Sequence, residues 1–132
     1  MTASILNVAG GAGVMHAVAA LSPAATLVQR QLDTYNAQDL EAFLDCYAED
    51  CVIADLNGQV TQNGKAVIRE RYTAMFAKFP ENRAVLVNRI ANGNTVIDHE
   101  DVIRSPDGER FFAIAIYTIA GGKIARVDFA KA

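Results

Sequence analysis

Three things are missing from this 132-residue sequence: a histidine–cysteine cluster, a run of lysine and arginine, and a long apolar stretch. Each absence closes off a class of function. Cys46 and Cys51 are the only cysteines, and neither has Cys/His companions at ligand spacing, so no metal site is expected. They read as two free core thiols in a reducing, cytoplasmic setting. A net charge of −3 without a basic cluster argues against a nucleic-acid footprint. No apolar run is long and pure enough to span a bilayer, so no membrane partner is expected. No Lys or Arg precedes Arg30, so Ala17-Val18-Ala19 lacks the basic lead of a secretory signal. Secretion through an atypical N-terminal signal stands as the alternative. Gly11-Ala12-Gly13 suggests a dinucleotide loop, but His16 stands where the third glycine belongs and no useful strand precedes it. No cofactor is expected.

Residues 1–21, small and apolar, are expected to form an N-terminal arm ahead of a single domain, residues 22–132. With 52% hydrophobic and 20% charged residues, that domain can bury a sizeable core. Ser22-Pro23 is a helix start, and Ala24, Leu27, Val28, Leu32 and Tyr35 follow on one face. Asp39 caps a second helix, whose face is Leu40, Phe43, Leu44 and Tyr47. Cys51–Asp55 reads as a first strand, Asn57-Gly58 as a turn, and Gln59–Gln62 as a short partner strand. A third helix carries Ile68, Tyr72, Met75, Phe76 and Phe79 and stops at Pro80. Four strands follow, over 83–90, 95–104, 109–119 and 123–130, separated by turn-forming residues. Helices first and strands after predict an α+β fold: a strongly curved antiparallel sheet with the helices on one face.

The run Tyr35-Asn36-x-x-Asp39-Leu40-x-x-Phe43-x-x-x-Tyr47-x-x-Asp50, a short strand, and then Gly64-Lys65-x-x-Ile68-Arg69 resemble the nuclear transport factor 2-like superfamily. Within it the SnoaL-like polyketide cyclases and the ketosteroid isomerases are the most similar groups. The resemblance covers about 24–129. It implies a cone-shaped sheet wrapped round a pocket that three N-terminal helices close, a small hydrophobic ligand, and a homodimer formed through the outer sheet face. The fold carries many functions, so the likeness bears on architecture more than on activity.

Strand parity divides the candidates, because alternate residues face opposite sides. Matching turns to the isomerases assigns Ile97, His99, Phe112, Ile114 and Ile116 to the cavity and the alternate residues to the dimer surface. By the same resemblance Asp55 coincides with the isomerases' catalytic base, which abstracts a proton next to a carbonyl. The other reading of Asp55 is a solvated aspartate ahead of the Asn57-Gly58 turn. His99 reads either as an acid/base partner of Asp55 or as a structural histidine. Gln31, Tyr35, Tyr72, Phe76, Ile97, Phe112, Ile116 and Phe129 are the expected substrate-binding lining, although a plain core would contain most of the same residues. Asp98-His99-Glu100-Asp101 alternates faces and cannot converge on one ion.

The sequence departs from the isomerase pattern where it matters for rate. The first-helix tyrosine of that family is Gln31 here, with Tyr35 one turn further on, and the late-strand acid falls at or near Ile116. Losing one oxyanion donor costs on the order of a hundredfold, so steroid isomerisation itself is not expected. The expectation is a cofactor-free acid/base enzyme acting on a small hydrophobic carbonyl compound, of isomerase, cyclase or hydratase type. The alternative is a non-catalytic hydrophobic-ligand-binding or dimerisation domain.

Overall fold

Ser22 accepts a hydrogen bond from the Ala25 amide at 3.2 Å, and Pro23 takes the first helical position, where no N–H is needed. From there the structure, a computed structural model, describes residues 22–131. The expected arm over 1–21, His16 included, lies outside the described residues. Helix α1 (Pro23–Ala37) ends at Gln38, whose backbone is left-handed (φ 55°) and whose side-chain amide donates to the Phe79 carbonyl at 2.8 Å. The turn is thereby tied to the far end of helix α3 (Lys65–Lys78). Asp39 caps helix α2 (Leu40–Asp45) by accepting from the Ala42 amide.

Helix α2 is shorter than its apolar spacing predicts. The chain leaves the helix at Cys46, and strand β1 runs from Tyr47 to Asp55. The reason is tertiary: the Cys46 carbonyl accepts from the Ile124 amide at 2.9 Å, so the last strand captures the chain there. Strands β2 (Val60–Asn63), β3 (Arg83–Asn92), β4 (Thr95–Ile103), β5 (Arg110–Ala120) and β6 (Lys123–Lys131) complete one six-stranded sheet in the order β2-β1-β6-β5-β4-β3. The expected antiparallel pairing holds for every neighbour except β1 and β6, which run parallel. Three helices against this curved, unclosed sheet make the α+β cone that the sequence predicts.

Helix and sheet meet over an aromatic cluster. Phe43 is fully buried, with the rings of Tyr72, Tyr47, Tyr35 and Phe76 between 4.8 and 6.0 Å away, centre to centre. Val28, Ile53, Ile68, Val96, Ile124 and Val127 extend this core along the sheet. Asn36, at the end of α1, reaches edge strand β3. It donates to the Ala84 carbonyl and accepts from the Ala84 amide, at 2.9 and 2.8 Å. A single side chain thus takes both bonds that a neighbouring strand would make. No described helix is long and apolar enough to cross a membrane.

Candidate functional site

The concave face of the sheet and helices α1 and α3 enclose a cavity of roughly 670 Å³, within the range of small-molecule sites. From β4 and β5 the residues that reach it are Glu100 and Val102, and Phe111, Ala113 and Tyr117, with Arg104 just beyond β4. Parity is therefore the reverse of that expected. Ile97, His99, Phe112 and Ile116 lie on the other, convex face, where the His99 and Phe112 rings sit 5.5 Å apart and Phe112 is 48% exposed. The cause is volume. Space on the concave face is left by small residues at mid-strand, Ala113 and Ala115, while Phe112, Ile114 and Ile116 turn outward.

The remaining expected residues separate cleanly. Gln31 and Tyr35 from α1, Tyr72 from α3, Phe129 from β6 and Asp55 all line the cavity. Asp55 closes β1 as an exposed residue at its rim, where Phe129 is its strand neighbour. Phe76 stands behind the lining, with its ring 5.8 Å from that of Tyr35 and 6.1 Å from that of Tyr72. The structure brings Asp55 together with the aromatic lining and sets His99 apart from it. Gln31 accepts from the buried Tyr117 hydroxyl at 3.2 Å, so its acceptor is already engaged.

Two acidic residues on the concave side of β4 have opposite fates. Asp98 is completely buried and takes two bonds from Arg89, at 2.7 and 2.9 Å; Arg89 also donates to Gln29 on α1. This ion pair clamps β3, β4 and α1 together. Glu100 is only 6% exposed and faces the cavity with no hydrogen bond among the described residues. Burial pushes its carboxyl up to about 7; Asp98 adds to the shift and Arg89 opposes it. Asp101, one residue on, points outward to Arg110, which holds its carboxyl below the usual range.

The cavity has further polar equipment that sequence reasoning missed. The Gln62 side-chain oxygen is buried without a partner among the described residues. The Tyr72 hydroxyl makes no hydrogen bond there either, and burial raises its pKa. Arg104 lines the cavity with its guanidinium over the rings of Phe111 and Phe79, at 5.1 and 5.6 Å. One signal for Glu100 was in the sequence: it shares a parity with Asp98 and pairs across strands with Ala113, so two acids and the small residues of β5 occupy one face. Among the described residues no group of three His, Cys, Asp or Glu side chains is placed to hold a metal.

Solved structures share this architecture. An uncharacterized cystatin-fold protein from Novosphingobium aromaticivorans is 30% identical, with 83% of this chain and 98% of that one covered at a TM-score of 0.76. A putative polyketide cyclase from Sinorhizobium meliloti is 21% identical (80% and 94% covered, TM-score 0.69). A putative ketosteroid isomerase from Kribbella flavida is 17% identical (87% and 82% covered, TM-score 0.72). At these last two identities the likeness is one of fold. No curated protein matches the chain. Residues 28–127, spanning nearly every described element, match the SnoaL-like domain model, and the chain belongs to that family.

Proposed function

We propose that this chain catalyses cofactor-free proton transfer on a small, largely apolar carbonyl compound, with Glu100 as the group that carries the proton. The observation behind this reading is the placement of Glu100: a buried carboxyl, unpartnered among the described residues, facing a cavity lined by aromatic and aliphatic side chains. A carboxyl near neutrality can both take and return a proton at physiological pH. In the step envisaged, the C–H bond next to the carbonyl breaks and its proton passes to a Glu100 oxygen. The electron pair moves onto the carbonyl oxygen, which the Tyr72 hydroxyl stabilises as an enolate. Return of the proton to the same or another carbon gives exchange or isomerisation, and attack of the enolate on a second carbonyl gives cyclisation. Asp55, exposed at the rim, serves as the second carboxylate, exchanging protons with solvent. One buried and one solvated carboxyl in a single site is the arrangement by which enzymes divide acid and base roles.

The proposal extends to the convex face. Val85, Ile90, Ile97, Phe112, Ile114 and Ile116 form an apolar surface on β3, β4 and β5. The charges beside it are neutralised within the chain, Asp101 by Arg110 and Asp128 by Arg126. An apolar face whose neighbouring charges are paired within the chain is suited to a second copy of the chain.

Proton transfer is testable without knowing the natural substrate. 2-Tetralone, a small apolar ketone, exchanges its α-protons in D₂O, and proton NMR follows the loss. Wild type should accelerate exchange above buffer, and Glu100→Gln should reduce that acceleration by about a hundredfold or more. Wild-type exchange no faster than buffer, or a Glu100→Gln variant as fast as wild type, would sink the reading.

A further inference from the structure

We infer that the cavity holds a carboxylate-bearing ligand, gripped at Arg104 and Tyr35; this rests on the pocket reading above and specifies its substrate as an apolar oxo-acid. Seven of the twelve lysines and arginines form ion pairs among the described residues. Of the remaining five, Arg71, Arg104 and Lys131 line the cavity. Cations without carboxylate partners are thus concentrated at one place. They outnumber the carboxylates of the lining, Glu100 and Asp55, and Asp55 is at the exposed rim.

Arg104 is the one built into position. Its Nη1 donates to Asn82 Oδ1 at 2.8 Å, and Asn82 is itself only 2% exposed. Two aromatic faces, Phe79 and Phe111, hold the flat of the guanidinium. Fixed in this way, the Nε–Nη2 edge has no acceptor among the described residues. That edge presents two parallel N–H groups, the geometry that matches a carboxylate. Tyr35 adds a third donor. Its oxygen already accepts from Asn82 Nδ2 at 2.6 Å and from Arg104 Nη1 at 3.4 Å. Both contacts use lone pairs, so the hydroxyl proton is left to donate, and Tyr35 lines the cavity. The Arg104–Asn82–Tyr35 network orients donors that no group among the described residues satisfies. An oxyanion of the ligand satisfies them, and anchoring it there presents the rest of the molecule to Glu100.

The test compares 2-naphthoate with 2-naphthamide, two probes of one shape that differ in charge, titrated calorimetrically into the full chain at pH 7.5. Wild type should bind the carboxylate about tenfold or more tightly, as expected for a charge-assisted pair. Arg104→Met should abolish the preference and leave amide binding within about twofold, while Arg104→Lys should keep part of the preference. If Arg104→Met does not fold, the wild-type Arg104 Nε–H resonance, assigned by its loss in Arg104→Lys, should move with naphthoate and not with naphthamide. Equal affinities in wild type, a preference that survives Arg104→Met, or an Nε–H resonance that ignores naphthoate would overturn the anion site and leave the apolar pocket standing. Failure of both probes to bind would remove the pocket reading and this inference with it.

Discussion

Replacing Glu100 by glutamine should change stability in a way that reverses the usual expectation for a charged residue. The folded protein holds the Glu100 proton more tightly than the unfolded chain does: its carboxyl is raised from 4.5 to about 7. Between those two values the native state keeps the proton that the unfolded state releases. Stability therefore falls as pH rises through that window, and the favourable contribution is gone once pH passes the folded value. At about 1.4 kcal/mol per pKa unit, ionising Glu100 in place costs up to about 3 kcal/mol. Glutamine has a similar shape and no charge to bury. At pH 5 the two proteins should be about equally stable, and by pH 8 the glutamine variant should be the more stable, by up to about 3 kcal/mol. Urea unfolding of both proteins from pH 5 to 8.5, at one fixed protein concentration, measures the difference directly. A difference independent of pH, or a glutamine variant weaker at pH 8, would refute the claim that this carboxyl is buried without a partner. The gain in stability should accompany the loss of proton-transfer activity, since the same desolvation underlies both.

Other expectations follow from particular contacts. Asn36→Ala should lower stability by about 1–3 kcal/mol by leaving the Ala84 amide and carbonyl unpaired, and chemical denaturation reads the loss. Ile114→Asp, on the convex face, should shift the protein from dimer to monomer in analytical ultracentrifugation with its circular dichroism unchanged; a wild type already monomeric at tens of micromolar would refute the dimer proposal. Cys46 and Cys51 are buried, and burial raises both thiols, Cys51 to about 12. Iodoacetamide at pH 8 should therefore leave native protein unmodified and label both cysteines in urea.

Local chemistry made the elements legible in the sequence. The Ser22-Pro23 start, the Asp39 cap and the Pro80 stop each act within one turn of chain, and each is present in the structure. What went unread was decided by distant partners. Tyr47 has helical spacing from Phe43 and Leu44, but β6 draws it into a strand. The site failed on a question of faces. Both sides of β4 and β5 carry residues suited to burial, and matching turns to the isomerases assigned Ile97, His99, Phe112, Ile114 and Ile116 to the cavity, one residue out of phase. The cavity instead takes the alternate residues, Glu100 and Val102 of β4 and Phe111, Ala113 and Tyr117 of β5. Gln31, Tyr35 and Tyr72 line the cavity from helix faces, where strand parity does not enter, and Asp55 and its strand neighbour Phe129 line it from the ends of β1 and β6.

The parallel pairing of β1 with β6 has a consequence for the order in which the molecule can be made. Strand β6 lies between β1 and β5, so it bridges the first and last parts of the described chain. While a ribosome is still extending the chain, β1 and β2 form a hairpin with no neighbour, and β3, β4 and β5 form a meander ending on a bare apolar edge. Neither piece is a sheet with a finished core, and a two-stranded hairpin is marginal alone. Closure waits for the nine residues of β6, which makes folding slow by topology and leaves the two pieces without a shared core until that strand is made. Loss of β6 would therefore not fray an edge of this domain but divide it in two.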